Sequence, residues 1–130
     1  MRTLFLATVA ALAVSVTAAG ADPVEGIWQT QPDDGYFAHV QIAMCGANVC
    51  GNIIASFDAA GQPYASPNIG RQIIIDMAPQ GDGNYEGEVW RPSNDKIYIG
   101  NMTLNGDQLR LRGCVLGGII CSGQDWVRVQ

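Results

Sequence analysis

Histidine occurs once in these 130 residues, at position 39, and none of the four cysteines forms a Cys-x-x-Cys pair. The spacings are Cys-x4-Cys and Cys-x6-Cys, so neither a dithiol redox motif nor the tight paired ligands of a zinc site are present. A Gly-x-Ser-x-Gly elbow and a phosphate-binding loop are also missing, and no cofactor is implied. Positive charge is scarce: Lys and Arg total 7 against 12 Asp and Glu, a formal net charge of −5. Such a surface repels phosphate backbones, which argues against nucleic acid as a partner. Past residue 21, no apolar run is long enough for a membrane helix, and no stretch keeps a helical period. Internal repeats and low-complexity tracts are lacking as well.

What is there begins with an address. Met1-Arg2 precedes an apolar stretch from Leu4 to Val16, and Ala19-Gly20-Ala21 stands before Asp22. A positive start, a short apolar run and a small-x-small site describe a secretory signal peptide over 1–21. Residues 22–130 then form one domain, exported to the periplasm or beyond. No cysteine sits at the cleavage point to carry a lipid.

In a small exported chain, four cysteines are expected to be disulfides. Each pair brackets a turn, Gly46-Ala47-Asn48 in one case and Gly117-Gly118 in the other. If each is a hairpin, Cys45 faces Cys50 and Cys114 faces Cys121 across adjacent strands. Such short loops contribute roughly 2–2.5 kcal/mol apiece on the chain-entropy account. This register sets Ile42 against Ile53, Val40 against Ala55 and Ala38 against Phe57, all on the face away from the cysteines. The cysteine face holds His39, Gln41, Asn52 and Ser56. In the second hairpin Arg110 meets Asp125, while Leu109, Leu111 and Trp126 share the opposite face.

The remaining sequence reads as strands over Val24–Thr30, Tyr36–Cys45, Val49–Phe57, Arg71–Met77, Asn84–Arg91, Lys96–Leu104, Gln108–Val115 and Ile119–Val129. Turn residues separate them, as in Asp33-Asp34-Gly35, Pro92-Ser93-Asn94-Asp95 and Asn105-Gly106-Asp107. Only Asp58–Gly70, rich in Gly, Pro, Ser and Asn, is a long connection. Eight sequential strands joined by hairpins suggest an all-β, antiparallel up-and-down barrel, since closure removes exposed edges. A two-sheet sandwich is the alternative. In the barrel, the two stapled turns fall at opposite ends.

Gly26-Ile27-Trp28 in the first strand and Trp126-Val127-Arg128 in the last resemble the calycin signature of lipocalins. There an arginine from the last strand covers the Gly-x-Trp tryptophan. Nearly all of residues 22–130 also resembles a bacterial family of exported proteins of unknown function, DUF2147. The matching segments are Gly26-Ile27-Trp28-Gln29-Thr30, Val40-Gln41-Ile42, Cys50-Gly51-Asn52-Ile53, Pro92, Lys96-Ile97-Tyr98-Ile99-Gly100, Leu109-Arg110-Leu111-Arg112-Gly113 and Trp126-Val127-Arg128. The family's central Asn-Pro and Arg-Pro-Leu runs are replaced by Pro67-Asn68 and Arg71-Gln72-Ile73. The resemblance implies a small lipocalin-like barrel in the bacterial envelope and brings no activity with it.

Residues suited to catalysis have plainer readings. His39 falls on the outer face; Glu86 and Glu88 share a strand face opposite Tyr85, Gly87 and Val89, as a solvated pair would; Asp33-Asp34-Gly35 is turn chemistry. Asn101-Met102-Thr103 fits a glycosylation triplet, which occurs often by chance and matters little if the host is bacterial. The expectation is a non-enzymatic protein binding a small hydrophobic or amphipathic ligand in or at the mouth of the barrel. Tyr36, Val40, Ile42, Ile53, Phe57, Tyr98, Met102 and Leu111 are the candidate lining. The competing expectation is an envelope interaction module with a filled interior, acting through the 58–70 loop, a dimer interface, or exposed Tyr64 and Trp90.

Overall fold

The computed structural model describes Thr3 and residues 22–130; the expected signal peptide lies outside the described residues. The strands are β1 (Gly26–Gln29), β2 (Phe37–Cys45), β3 (Asn48–Phe57), β4 (Gln72–Gly81), β5 (Asn84–Arg91), β6 (Lys96–Asn105), β7 (Gln108–Val115) and β8 (Ile120–Arg128). They pair in chain order, all antiparallel, into a closed barrel. Closure is made where Trp28 meets Arg128 and Gln29 meets Val127. A 3₁₀ turn, Leu116–Gly118, links β7 to β8.

The two ends differ because their connections do. At one end β2–β3, β4–β5 and β6–β7 are joined by two-residue turns: Gly46-Ala47, Asp82-Gly83 and Gly106-Asp107. Asp82 and Gly83 both have positive φ (55° and 78°), the type I′ geometry whose twist matches that of the flanking strands. The other end carries the longer connections, 30–36, 58–71, 92–95 and 116–119. The first end is closed, the second open, and the stapled turns do lie one at each end.

Arg128 seals the closed end. Its guanidinium lies 4.4 Å over the Trp28 ring. It also donates to the Glu25 carbonyl (2.9 Å), the Pro23 carbonyl (2.7 Å) and the Asp107 carboxylate (3.0 Å). Trp28 Nε1 donates to the Val24 carbonyl at 2.9 Å, so the segment before β1 is pinned across the barrel bottom. Gly26, at φ 142°, has no room for a Cβ: it would collide with the Gln130 carbonyl and sit 2.9 Å from Arg128 Nη1. Val24, Trp28, Val40, Ile42, Val49, Ile74, Met77, Met102, Leu109 and Trp126 fill the interior above this seal and are fully or almost fully buried.

Both disulfides form as expected, Cys45–Cys50 and Cys114–Cys121, on the outer side of their ribbons. The second hairpin keeps its register: Cys114 faces Cys121, and Arg110 faces Asp125 with 3.1 Å between Nη1 and Oδ2. The first does not. Cys45 pairs with Asn48, and Cys50 with Ala43. Gly46 at φ 75° closes a two-residue turn, and the disulfide spans a diagonal of the ribbon with 5.8 Å between Cα atoms. A bulge between His39 and Val40 then takes up one residue of β3, so Ile53 meets Val40 and Ser56 meets Ala38. Ser56 is thereby turned inward, and Phe57 outward.

Candidate functional site

The open end holds a cavity of about 500 Å³. Its floor and walls are Trp126, Val89, Leu111, Ile73 and Tyr98, set there by the inward phase of β5, β6, β7 and β8 and by a bulge in β4. At that bulge Gln72 pairs with Asn52 and Ile74 with Gly51, leaving Ile73 as the extra residue, nearly buried against the cavity. A second lobe of about 210 Å³ lies beside the first under the 30–36 and 58–71 connections. Its lining is more hydroxylated: Thr30, Ser56, Ser66, Ser93, Tyr36 and Tyr64. The two tyrosines meet edge to face with 5.7 Å between ring centroids.

The boundary between the lobes is mixed. The exposed Gln31, Asp33, Arg91 and Gln124 line both, and so do Ile73 and Pro92. Two amides there have their orientation set by hydrogen bonds. Gln124 Oε1 accepts from Trp126 Nε1 at 2.8 Å, and Gln31 Oε1 accepts from the Asp125 backbone N–H at 3.0 Å. Neither NH₂ group takes part in these bonds, and both side chains are exposed at the open end. Arg91 has no ion-pair partner among the described residues, where the salt bridges are Arg71–Asp95, Arg110–Asp125 and Arg128–Asp107.

The structure divides the eight candidate lining residues. Tyr98 and Leu111 line the larger lobe, Tyr36 and Ile53 the smaller. Val40, Ile42 and Met102 are buried in the packed, closed half and border neither lobe. Phe57 is outside the barrel, stacked on Phe37 at 4.9 Å and near His39 at 4.6 Å, because the bulge opposite His39 reverses its face. Trp90, expected to be exposed, is 3 % exposed. It is covered by the Arg71 guanidinium at 3.7 Å, and its Nε1 donates to Asp95 at 2.8 Å. Two of the boundary residues could have been read from strand phase, since Arg91 follows Tyr85 and Val89, and Gln124 precedes Trp126. Gln31 sits in a connection, where alternation carries no signal.

Little here suits acid–base or metal chemistry. Glu86 and Glu88 are exposed on the outer face. His39 is on the outside against Phe57, where burial lowers its pKa below 6.5. Tyr85 is nearly buried, donates to the Asp22 carboxylate, and has its pKa raised by desolvation and by that contact. Asp76 Oδ1 lies 3.6 Å from both sulfurs of Cys45–Cys50, but sulfurs bonded to each other offer no thiolate to a metal.

No curated protein sequence matches this chain. Among solved structures, the fold is similar to that of protein HP1028 from Helicobacter pylori, described as belonging to the lipocalin family. The TM-score is 0.63 and the identity 18 %, over 82 % of each chain. That likeness concerns the backbone, and it agrees with a lipocalin-like barrel closed at one end. The sequence match is to a family model that spans Gly26 to Arg128, from the first barrel strand through the closing arginine, so the chain belongs to the DUF2147 family, uncharacterized proteins conserved in bacteria.

Proposed function

We propose that this protein is an exported, non-enzymatic carrier or receptor that holds one small amphipathic molecule in the open half of its barrel. The observation that carries the reading is the asymmetry of the interior. Packed side chains occupy the closed half, whereas the open half keeps a cavity of about 500 Å³ with an apolar floor and a polar boundary. Sites for small ligands have this size and this mixture of apolar wall with a few placed polar groups. A barrel serving only as an outer-surface module gains nothing from leaving its mouth unfilled.

Native mass spectrometry of protein purified from its own host tests this. A bound species of a few hundred daltons, lost on organic extraction, is the expected result. Protein of bare polypeptide mass, with no uptake from an extract of host lipids, would rule the reading out. The competing module finds some support in Leu116 and Ile119, 68 % and 83 % exposed at the tip of the β7–β8 connection. They stand beside the cavity mouth, so they also suit a greasy rim for ligand entry.

A further inference from the structure

We infer that the free edge of β8 is a docking site for an extended segment of another polypeptide, one that alternates apolar and acidic side chains. The inference is independent of what the cavity holds and follows from a mismatch in strand lengths. β1 has four residues, whereas the other strands have eight to ten. It pairs with β8 only at Trp28–Arg128 and Gln29–Val127, and the next residue, Thr30, donates its N–H to the Ala38 carbonyl of β2. Among the described residues, β8 from Ile120 to Gln124 thus has no neighbouring strand on that side.

Register shows which groups that edge presents. Successive residues of a strand point their backbone groups to opposite sides. The Arg128 N–H goes to the Asp107 carbonyl on the β7 side, and the Asp125 N–H goes the other way, to the Gln31 side chain at 3.0 Å. Cys121 and Gly123 share the phase of Asp125. The 4.1 Å between the Cα atoms of Cys121 and Cys114 agrees, being the close approach of a pair that exchanges no backbone hydrogen bonds. The N–H and C=O groups of Cys121 and Gly123 therefore face the open side, where no backbone group meets them among the described residues. Another strand matches such a row of donors and acceptors group for group. The same gap explains why Cys121 and Gly123, which face outward, border the cavity together with Ile120, Ser122 and Gln124.

An added strand running antiparallel to β8, in the line β1 would follow if it were longer, shares the pleat of β8. Its residues opposite Ser122 and Gln124 point into the mouth of the cavity, whose floor is Trp126, Val89 and Leu111, and are best apolar. The residue between them, opposite Gly123, points outward, where the surface is cationic. A Cβ on Gly123 would lie 2.7 Å from Arg110 Nη2, so that guanidinium covers the glycine from outside. Arg112 faces Gly123 from β7, exposed and without an ion-pair partner among the described residues. Asp125 pairs with Arg110 alone. Gly123 has no side chain to stand in the way, so an acidic group on the added strand completes an opposite-charge contact across it. A second copy of this chain is a poorer occupant: two β8 edges paired about Gly123 would set the Arg110 guanidiniums against each other.

The test uses protein recovered from the envelope and the peptide Thr-Val-Glu-Val-Thr amide, labelled with fluorescein at its N-terminus and titrated by anisotropy. Its glutamate N–H faces β8, and the N–H of the valine before it faces away. N-methylation of the glutamate should weaken binding by about tenfold, and N-methylation of that valine should leave it within about twofold. Lysine in place of the peptide's glutamate should also weaken binding by about tenfold, and Arg112→Glu in the protein should reverse the preference in favour of the lysine peptide. Absence of binding at millimolar peptide, equal effects of the two N-methylations, or a charge preference unmoved by Arg112→Glu overturns the inference. So does a dimer, seen by sedimentation, that excludes the peptide, since a second copy would then be the occupant. In each case the carrier reading stands, because its own test is the small molecule that comes with the protein.

Discussion

Arg128 does several things at once. It stacks on Trp28, holds two carbonyls of the segment before β1, and pairs with Asp107 of the β6–β7 turn. Charge-assisted hydrogen bonds of this kind contribute about 1.5–3 kcal/mol each, and they are not additive. Arg128→Leu should therefore lower unfolding stability by about 2–4 kcal/mol in urea titration. Arg128→Lys should recover little of it, because an ammonium cannot make the fork and the stack together. A stability unchanged by the leucine variant would show the seal to be ornamental.

His39 gives a pH signature at the same scale. Its folded pKa is lowered by burial against Phe57, so below its ordinary pKa of 6.5 the unfolded chain takes up the proton first. Its contribution to stability is thus complete above pH 6.5, falls as pH drops through that value, and levels off below the folded pKa. The midpoint of urea unfolding should decline modestly between pH 7.5 and 5, and His39→Gln should flatten part of that decline. A slope identical in the variant would exclude His39 as its source.

At the scale of elements, the two disulfides staple neighbouring strands, one at each end of the barrel. Replacing Cys45 and Cys50 together by serine removes a short loop constraint, costing roughly 2 kcal/mol on the chain-entropy account. The barrel should persist, with unchanged far-ultraviolet circular dichroism and a lowered denaturation midpoint. Non-reducing peptide maps of the parent should show only the 45–50 and 114–121 linkages. The β2–β3 ribbon also shows where alternation stops being readable. Val40, Ile42, Ile53 and the outward Gln41 follow period two. Ser56 and Phe57 lie past a bulge that one extra residue creates, and nothing in Asn52–Phe57 marks its position. Hairpin register was set by a tight turn at Gly46, which competes with facing cysteines and wins because a diagonal disulfide remains within reach.

For the whole molecule, the proposed function rests on the open half of the barrel. Gly113 faces it, and an added Cβ there meets only Val89 and Tyr98 at 3.4 and 3.6 Å. Gly113→Phe should fill the larger lobe, abolish ligand uptake, and leave the unfolding free energy within about 1 kcal/mol of the parent. If ligand is still captured, the site lies elsewhere. Export can be tested by intact mass: protein recovered from the envelope should begin at Asp22. A free α-amino group would then stand where the Asp22 nitrogen already lies 2.8 Å from the Glu25 carboxylate. A mass that retains the first 21 residues would contradict this processing.

Strand number, closure and the two disulfides were legible from residues alone, and the pairing of Trp28 with Arg128 from the calycin resemblance. They rest on local periodicity, turn chemistry and a short signature, each carried by neighbouring positions. Which inward side chains pack and which line a cavity belongs to the tertiary structure. Val40 and Leu111 are alike in phase and character, yet one is buried in the closed half and the other borders open space. The difference comes from the lengths of connections at the two ends and from bulges in β3 and β4, which bring distant segments together. Arg91, Gln31 and Gln124 line one opening for the same reason: residues far apart in the chain come to face a common space only once the last strand has closed on the first.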